Sequence, residues 1–597
     1  MEKTREEVSN EYKWDLSTVY KNNKELDTEY DEIKEQINSF KENENTFLKN
    51  SDNLYKTLKE YYNINMILEK MYVFVSHRYD TDITNNKNKA YKEKIKNLYN
   101  EFSINSSFLI PKLQEYGYNN IKKYMQENPK LKEEYDFIFE DIFRYEKYTL
   151  SLKEEKLLSS LSKAISNPSS VSSMLQDSDL DFGTIKDEEG KDIKLTDTNY
   201  SVYIQSKNRN VRENAFKTLY NTYKKFNNTF SLLISSYVEK NRAISKVRGY
   251  NSSLEASLFD DNVSIDVYNN LIDTVSDNLD KLYKYYDLKK DILKLDQMHL
   301  YDVYVDITKE ENKKYTFKEA KELVINALEI LGEDYTKNLK KAFDEKWIDI
   351  YPNKGKRGGA YSGGAYLTNP FLLLNFNGLY HDVSTLAHEL GHSMHTYYSC
   401  KNNPYQYSSY QIFVAEVASQ VNELLFNNYM LNVVKTKEEK INILNQILEL
   451  FKGSIFRQTM FAEFEKEIAK KEENDIILTA DVLNETYLNL VKKYFGNNII
   501  IDEEITYEWQ RIPHFYYDFY VYKYSTGLAA AAYIVKNILD KKENALENYL
   551  TFLKTGGSDY PLNELLVAGV DLTKKEVIQS ALDMFDNYLN ELEKLVK

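Results

Sequence analysis

His388 and His392 stand four residues apart, with Glu389 directly after the first, inside Leu379-Tyr-His-Asp-Val-Ser-Thr-Leu-Ala-His388-Glu-Leu-Gly-His392-Ser-Met-His395. On a helix this spacing puts both imidazoles on one face a turn apart, where both can reach a single metal ion. Glu389 is rotated by about 100° around the axis from His388. It therefore points beside such an ion, where a carboxylate can take a proton from a metal-bound water. The chemistry expected is metal-assisted hydrolysis. Four of the seven histidines, His381, His388, His392 and His395, fall within fifteen positions.

A hydrolytic zinc site needs three protein ligands and one open position. His395 could supply the third ligand from the same helix, and Glu416 could supply it from Phe413-Val-Ala-Glu416-Val-Ala-Ser419-Gln-Val-Asn-Glu423. Three ligands from one short helix would strain to surround a tetrahedral ion, so Glu416 is the preferred ligand. His395 and Glu423 are then expected to orient the ligands from behind. Further on, Trp509 to Gly527 carries His514, Tyr516, Tyr517, Tyr520, Tyr522 and Tyr524. Hydroxyls or an imidazole N–H there could stabilise the oxyanion of a tetrahedral intermediate. On a continuous helix Tyr517, Tyr520 and Tyr524 would share a face, and spacing leaves open which tyrosine acts.

The elements that must position these groups are mostly helical. Leu386, Leu390, Met394 and Tyr397 recur at helical spacing around the histidines, with Asp382 or Ser384 as N-cap. Phe413, Val414, Val417, Val421 and Leu424 give the Glu416 segment an apolar side. Residues 1 to about 200 read as helices: Asp15 or Ser17 caps an early one, Asn53 to Phe74 is periodic, and Ser151 with Glu154 forms a capping box. Asp177 to Gly183 reads as a loop without the spacing of a calcium site, and Ile185 to Ile193 as a small hairpin. Helical periodicity resumes over Arg209–Val247 and Ile265–Lys294.

Strands are expected at Leu300–Val305, Ile348–Tyr351 and Phe371–Phe376. Between the last two, the glycine-rich run from Gly355 to Gly364 lacks the phosphate-loop pattern. It reads as a flexible flap over a bound peptide, with Gly359, Ala360 and Tyr361 touching substrate and a neighbouring strand edge bonding its backbone. Two domains are expected, an N-terminal helical one over 1–200 and a catalytic one over 201–597.

Hydrophobic residues make up 42% of the 597, and 52 tyrosines are present, enough for a large core. A net charge of −15 argues against nucleic-acid binding. Cys400, the single cysteine, cannot form a disulfide within the chain and reads as a packing residue beyond the helix end. The first ten residues are charged and no apolar run is long enough to span a bilayer, so a cytoplasmic protein without a membrane partner is expected.

These residues carry a resemblance to the oligoendopeptidase F family, within the thimet-oligopeptidase-like zinc peptidases. The matching stretches are Trp14-Asp-Leu-Ser, Asp181-Phe182, Arg209 to Phe216, Val247 to Tyr250, Lys356 to Gly364, Asn375 to Gly378, the histidine segment, Phe413 to Glu423, and Ile512 to Gly527. The resemblance implies a mainly α, bilobed zincin-type body with a small β element beside the active-site helix and a deep substrate channel. It also implies one Zn2+ per chain on His388, His392 and Glu416, Glu389 as acid/base, and short unstructured peptides as substrates. Tyr517 and Tyr524 reproduce the spacing of two functional tyrosines in thimet-like relatives. Their distance from His514 is shorter than in those relatives, so Tyr520 and Tyr522 stay as substrate-contacting rivals. Two other classes fit less of the pattern. A hydrolase of a non-peptide amide would share the site and leave peptides intact. A non-catalytic peptide-binding scaffold would lack one of the reacting groups, all of which are present.

Overall fold

The computed structural model describes residues 3–308 and 313–597. The fold is mainly helical, and the chain divides into two compact units. The first comprises Met1–Lys147, Asn312–Tyr429 and Asn537–Gly569; the second comprises Tyr148–Glu311, Met430–Lys536 and Val570–Lys597. Each unit thus draws on residues from both sides of position 200.

In the first unit the long helix Ser51–Asp80 starts at Asn50, whose side chain accepts the Asn53 amide. It buries Leu54, Leu58, Ile64, Leu68 and Met71, each side chain contributing about 1.5–3 kcal/mol of transfer free energy. This unit also holds a three-stranded sheet in which Phe371–Leu373 lies between Ile348–Asp349, parallel to it, and Tyr361–Gly363, antiparallel. The Trp14 ring packs 4.8 Å from His77, and His77 packs against Tyr361 and Phe371 of the sheet. The Trp14 motif therefore buttresses the sheet, and His77, with Nδ1 bonded to the Val73 carbonyl at 2.6 Å, is structural.

In the second unit Thr184–Lys186 and Asp192–Lys194 form the expected hairpin. Its helices close around buried acids. Asp302 receives Arg209 and Arg212, and Glu508 receives Tyr220, Tyr487 and Arg457. Many tyrosines serve the core: Tyr220, Tyr268, Tyr285 and Tyr487 in this unit, and Tyr335 and Tyr380 in the first, are among the largest fully buried side chains. Each ring supplies apolar area while its hydroxyl finds an acceptor, as Tyr268 does on the Ala462 carbonyl at 2.7 Å.

Several expected boundaries move. Leu300–Val305 is not a strand; the strand is Met298–His299, and Leu300–Asp302 turns as 3-10 helix. Arginine capture of Asp302 overrides the β-forming side chains there. Arg209–Val247 breaks into Arg209–Lys225 and Asn227–Arg248, and Ile265–Lys294 breaks near Asp277. Leu175–Asp179 is a π-helical turn that runs into the first residues of the loop expected over Asp177 to Gly183. Cys400 lies inside the last turn of its helix rather than beyond it, and burial, helped by Glu69, pushes its thiol up to about 11. No described helix is long and apolar enough to cross a membrane.

Candidate active site

Two helices carry the candidate ligands, all of which lie in the first unit. Tyr380–Asn402 holds His388, Glu389 and His392, and Ile412–Val433 holds Glu416 and Glu423. The first helix is entered through Asp382, which acts at its third position rather than as N-cap. Its carboxylate accepts the backbone N–H groups of Asn377 and Leu379 at 2.8 and 2.9 Å. Ser384, the other expected cap, is buried and donates to Glu423 at 3.2 Å. Leu386, Leu390 and Met394 are fully buried, and Tyr398 replaces Tyr397 as the next buried aromatic.

The helices cross at Gly391. A Cβ there would lie 2.5 Å from Ser419 Cα and 2.6 Å from the Ala418 carbonyl oxygen. Those contacts are backbone and cannot swing aside, so the residue before His392 must be glycine for Glu416 to approach. Asn422 donates to the Ala387 carbonyl at 3.2 Å, and Tyr380 donates to Asn427 at 2.7 Å, which fixes the crossing from both sides.

At the crossing, His388 Nε2 and His392 Nε2 lie 3.4 and 3.6 Å from Glu416 Oε2. The three donor atoms all fall within 4.8 Å of one another, the group of metal-binding type found among the described residues. Ligands about 2.05 Å from a tetrahedral ion stand about 3.3 Å apart, so the spacing and the two-nitrogen, one-oxygen donor set fit zinc. His388 Nδ1 lies 2.9 Å from Glu423 Oε2. With Nδ1–H donating to that carboxylate, Nε2 keeps its lone pair for the metal. Glu423 thus stands behind His388, on the side away from the clustered donor atoms.

His395 does not. Its ring is stacked on Tyr410 with centroids 3.6 Å apart, it is buried, and neither ring nitrogen has a hydrogen-bond partner. Three residues beyond His392, its side chain has rotated off the ligand face into an aromatic stack, where burial holds it neutral with a pKa of about 3.

Glu389 is 7% exposed, and the Ser362 backbone lies near enough to its carboxylate to favour the charged form. The Ser362 and Ser393 hydroxyls meet at 2.9 Å, which ties the edge strand Tyr361–Gly363 to the helix. Burial raises the Glu389 pKa to about 7; the His388 charge opposes that rise, while Glu416 and Glu423 reinforce it. A base poised near neutrality suits proton transfer in both directions.

The glycine-rich run is fastened rather than free. Lys356 pairs with Asp349 at 2.8 Å, and the Asn375 side chain donates to the carbonyls of Arg357 and Gly359 at 3.0 and 2.8 Å. Tyr361 donates to Asp80 at 2.9 Å, so its side chain is committed to the scaffold, and its backbone forms the strand edge. The flexible flap is accordingly a pinned turn, with Gly359 at φ 80° leading through Ala360 into that strand.

In the second unit the tyrosine segment is not one helix. Pro513–Tyr516 is a 3-10 turn, Asp518 and Phe519 take φ of 49° and 59°, and the helix begins only at Tyr522. Two consecutive left-handed residues without glycine cost about 1–2 kcal/mol each. The turn nevertheless brings four rings together: His514 has ring centroids 5.4, 6.4 and 5.9 Å from Tyr517, Tyr520 and Tyr524. The Tyr524 hydroxyl lies 3.4 Å from His514 Nε2. Tyr522, an expected substrate contact, is instead a core residue, 1% exposed and packed 5.1 Å from Tyr268.

The charges of the metal-free site yield a prediction. Burial lowers the pKa of His388, but its bonds to Glu416 and Glu423 prevail and raise it to about 10. Burial and the His388 charge lower His392 to about 4. His388 is thus charged at pH 7 and must lose its proton to ligate, so metal binding should release about one proton. Affinity should fall roughly tenfold per pH unit as the pH drops from 9 to 6. Calorimetry in buffers of different ionisation enthalpy checks this, and binding without proton release would contradict it.

A family model described as Peptidase family M3 matches residues 202–584, and one described as Oligopeptidase F matches residues 112–182. The Bacillus subtilis (strain 168) protein named Oligopeptidase PepF is 39% identical over 592 residues, covering 99% of this chain and 88% of that protein. A crystal structure of a protein from Chlamydophila abortus superposes with a TM-score of 0.91 at 37% identity, covering 100% of both chains. The structure of oligoendopeptidase-F from Enterococcus faecium superposes with a TM-score of 0.74 at 32% identity, covering 96% of this chain and 99% of that one.

Proposed function

Because this chain belongs to peptidase family M3 and is a metal-dependent peptidase, we propose that it hydrolyses internal bonds of short, unstructured peptides using one zinc ion held by His388, His392 and Glu416. The observation that carries this reading is the convergence of two imidazole Nε2 atoms and the Glu416 carboxylate within 4.8 Å, with Glu389 on the same helix as the imidazoles. When bound there, zinc would supply Lewis acidity to the scissile carbonyl and to a water.

The remaining steps belong to the chain. Glu389, buried beside the metal cradle, takes the proton of the attacking water and delivers it to the leaving amine. Glu423 holds the His388 ring in its ligating tautomer. His514, with Tyr517, Tyr520 or Tyr524, donates hydrogen bonds to the oxyanion as charge develops. The backbone of Gly359 to Gly363 offers an edge for an extended substrate.

The reading extends to organisation and location. We assign residues 1–200 to an N-terminal helical part and 201–597 to the catalytic part; the two family models, matching on either side of that division, support it. The lone cysteine and the net charge of −15 support a cytoplasmic protein with no nucleic-acid partner.

The test is a series of quenched fluorescent peptides of increasing length, assayed before and after exhaustive chelation. Cleavage inside short peptides, lost on chelation and restored by zinc, is expected. Intact peptides throughout, or undiminished cleavage after chelation, would overturn the proposal.

A further inference from the structure

Glu465 lies in the helix Gln458–Glu473 of the second unit and is fully enclosed, 5% exposed. Its Oε1 accepts the Phe519 backbone N–H at 3.1 Å, and its Oε2 has no hydrogen-bond partner. A half-satisfied buried acid is costly, and an apolar side chain of the same size would cost less. Something other than core packing accounts for it.

What it holds is the left-handed turn. The Asp518 amide donates to the Tyr237 hydroxyl at 3.1 Å, the Asp518 carbonyl accepts from Ser257, and the Phe519 amide goes to Glu465. The Asp518 carboxylate in turn receives Tyr237 at 2.6 Å and Asn241. Three successive backbone groups of a strained pair are thus clamped by side chains from three different helices, Asn227–Arg248, Ser253–Asp260 and Gln458–Glu473. A continuous helix through this segment would set Tyr520 about 240° around its axis from His514, on another face. The left-handed turn instead lies between His514 and Tyr520, whose ring centroids stand 6.4 Å apart.

We propose that Glu465 is a positioning residue whose enclosed carboxyl locks the Asp518–Phe519 turn and thereby sets His514 opposite Tyr520 and Tyr524. This rests on the reading above that His514 and a tyrosine steady the oxyanion. Burial, opposed by the Phe519 amide and reinforced by the Asp518 charge, raises the Glu465 pKa well above the usual range. The carboxyl is therefore neutral, and its acceptor oxygen is what the turn uses. Glutamine supplies the same oxygen and methionine does not.

The test compares Glu465→Met with Glu465→Gln in the zinc-loaded full chain, reading kcat, KM, metal content and amide hydrogen exchange over residues 517–521. Glu465→Met should lower kcat by about tenfold to a hundredfold with KM and metal content unchanged. It should also speed exchange of the turn amides by at least about tenfold, as expected for a locally opened segment. Glu465→Gln should stay near wild type in both. Should Glu465→Met not fold, Tyr237→Phe loosens the same turn from its other side and is read in the same way.

Unchanged exchange in the variant that removes the acceptor would overturn the positioning role. Faster exchange with unchanged kcat would overturn its catalytic consequence, and His514→Ala then separates two causes. If that variant also keeps kcat, the oxyanion reading has failed; if it loses kcat, the fault lies with Glu465 alone.

Discussion

Replacing Glu389 by glutamine should lower kcat by about 10²–10⁴-fold, with one metal ion still bound per chain. Glutamine keeps the length and shape of the side chain, so the pocket is preserved. It cannot accept a proton at neutral pH. Glu389 is not among the three clustered donor atoms, and nothing in the metal cradle changes with it. Turnover within a few-fold of wild type would show that another group moves the proton. Loss of metal would show that Glu389 is a ligand.

Removing Glu416 should have the opposite signature. Glu416→Ala should lose both activity and metal, with affinity falling by more than the roughly 10–100-fold typical of outer hydrogen-bonding partners. The carboxylate is suited to this role because it stays ionised: burial opposes that, but the His388 hydrogen bond and the two imidazoles prevail and lower its pKa to about 2. His395→Phe is the control. Phenylalanine keeps the stack on Tyr410 and removes two buried ring nitrogens that have no partner. That change should retain the metal and leave stability equal or higher by about 1–2 kcal/mol. Full metal occupancy in Glu416→Ala, with metal lost in His395→Phe, would move the third-ligand role to His395.

The legible part of this protein was the part written in short-range spacing. A four-residue interval between histidines is a statement about one helix face, and it held for His388 and His392, with Glu416 reaching them from a second helix. Gly391 and Ser419 are small residues on the two segments. Their smallness became meaningful only once the helices were seen to cross there, at a separation that no Cβ on residue 391 allows. His395 misled because helical spacing gives the angle of a side chain and not its destination, and an aromatic stack offered more than a crowded metal face. The tyrosine segment misled for a different reason. Nothing local announces a left-handed Asp518–Phe519 pair, since neither residue is glycine and the groups that hold it, Tyr237, Ser257 and Glu465, are distant in sequence. Leu300–Val305 failed in the same way, through long-range capture of Asp302 by Arg209 and Arg212.

The most direct measurement is an anomalous difference map recorded at the zinc edge from crystals of the zinc-loaded protein. A single peak about 2.0–2.2 Å from His388 Nε2, His392 Nε2 and a Glu416 carboxylate oxygen is the expected result. A peak coordinated by His395 in place of Glu416, or one lying away from the crossing of these two helices, would contradict the account.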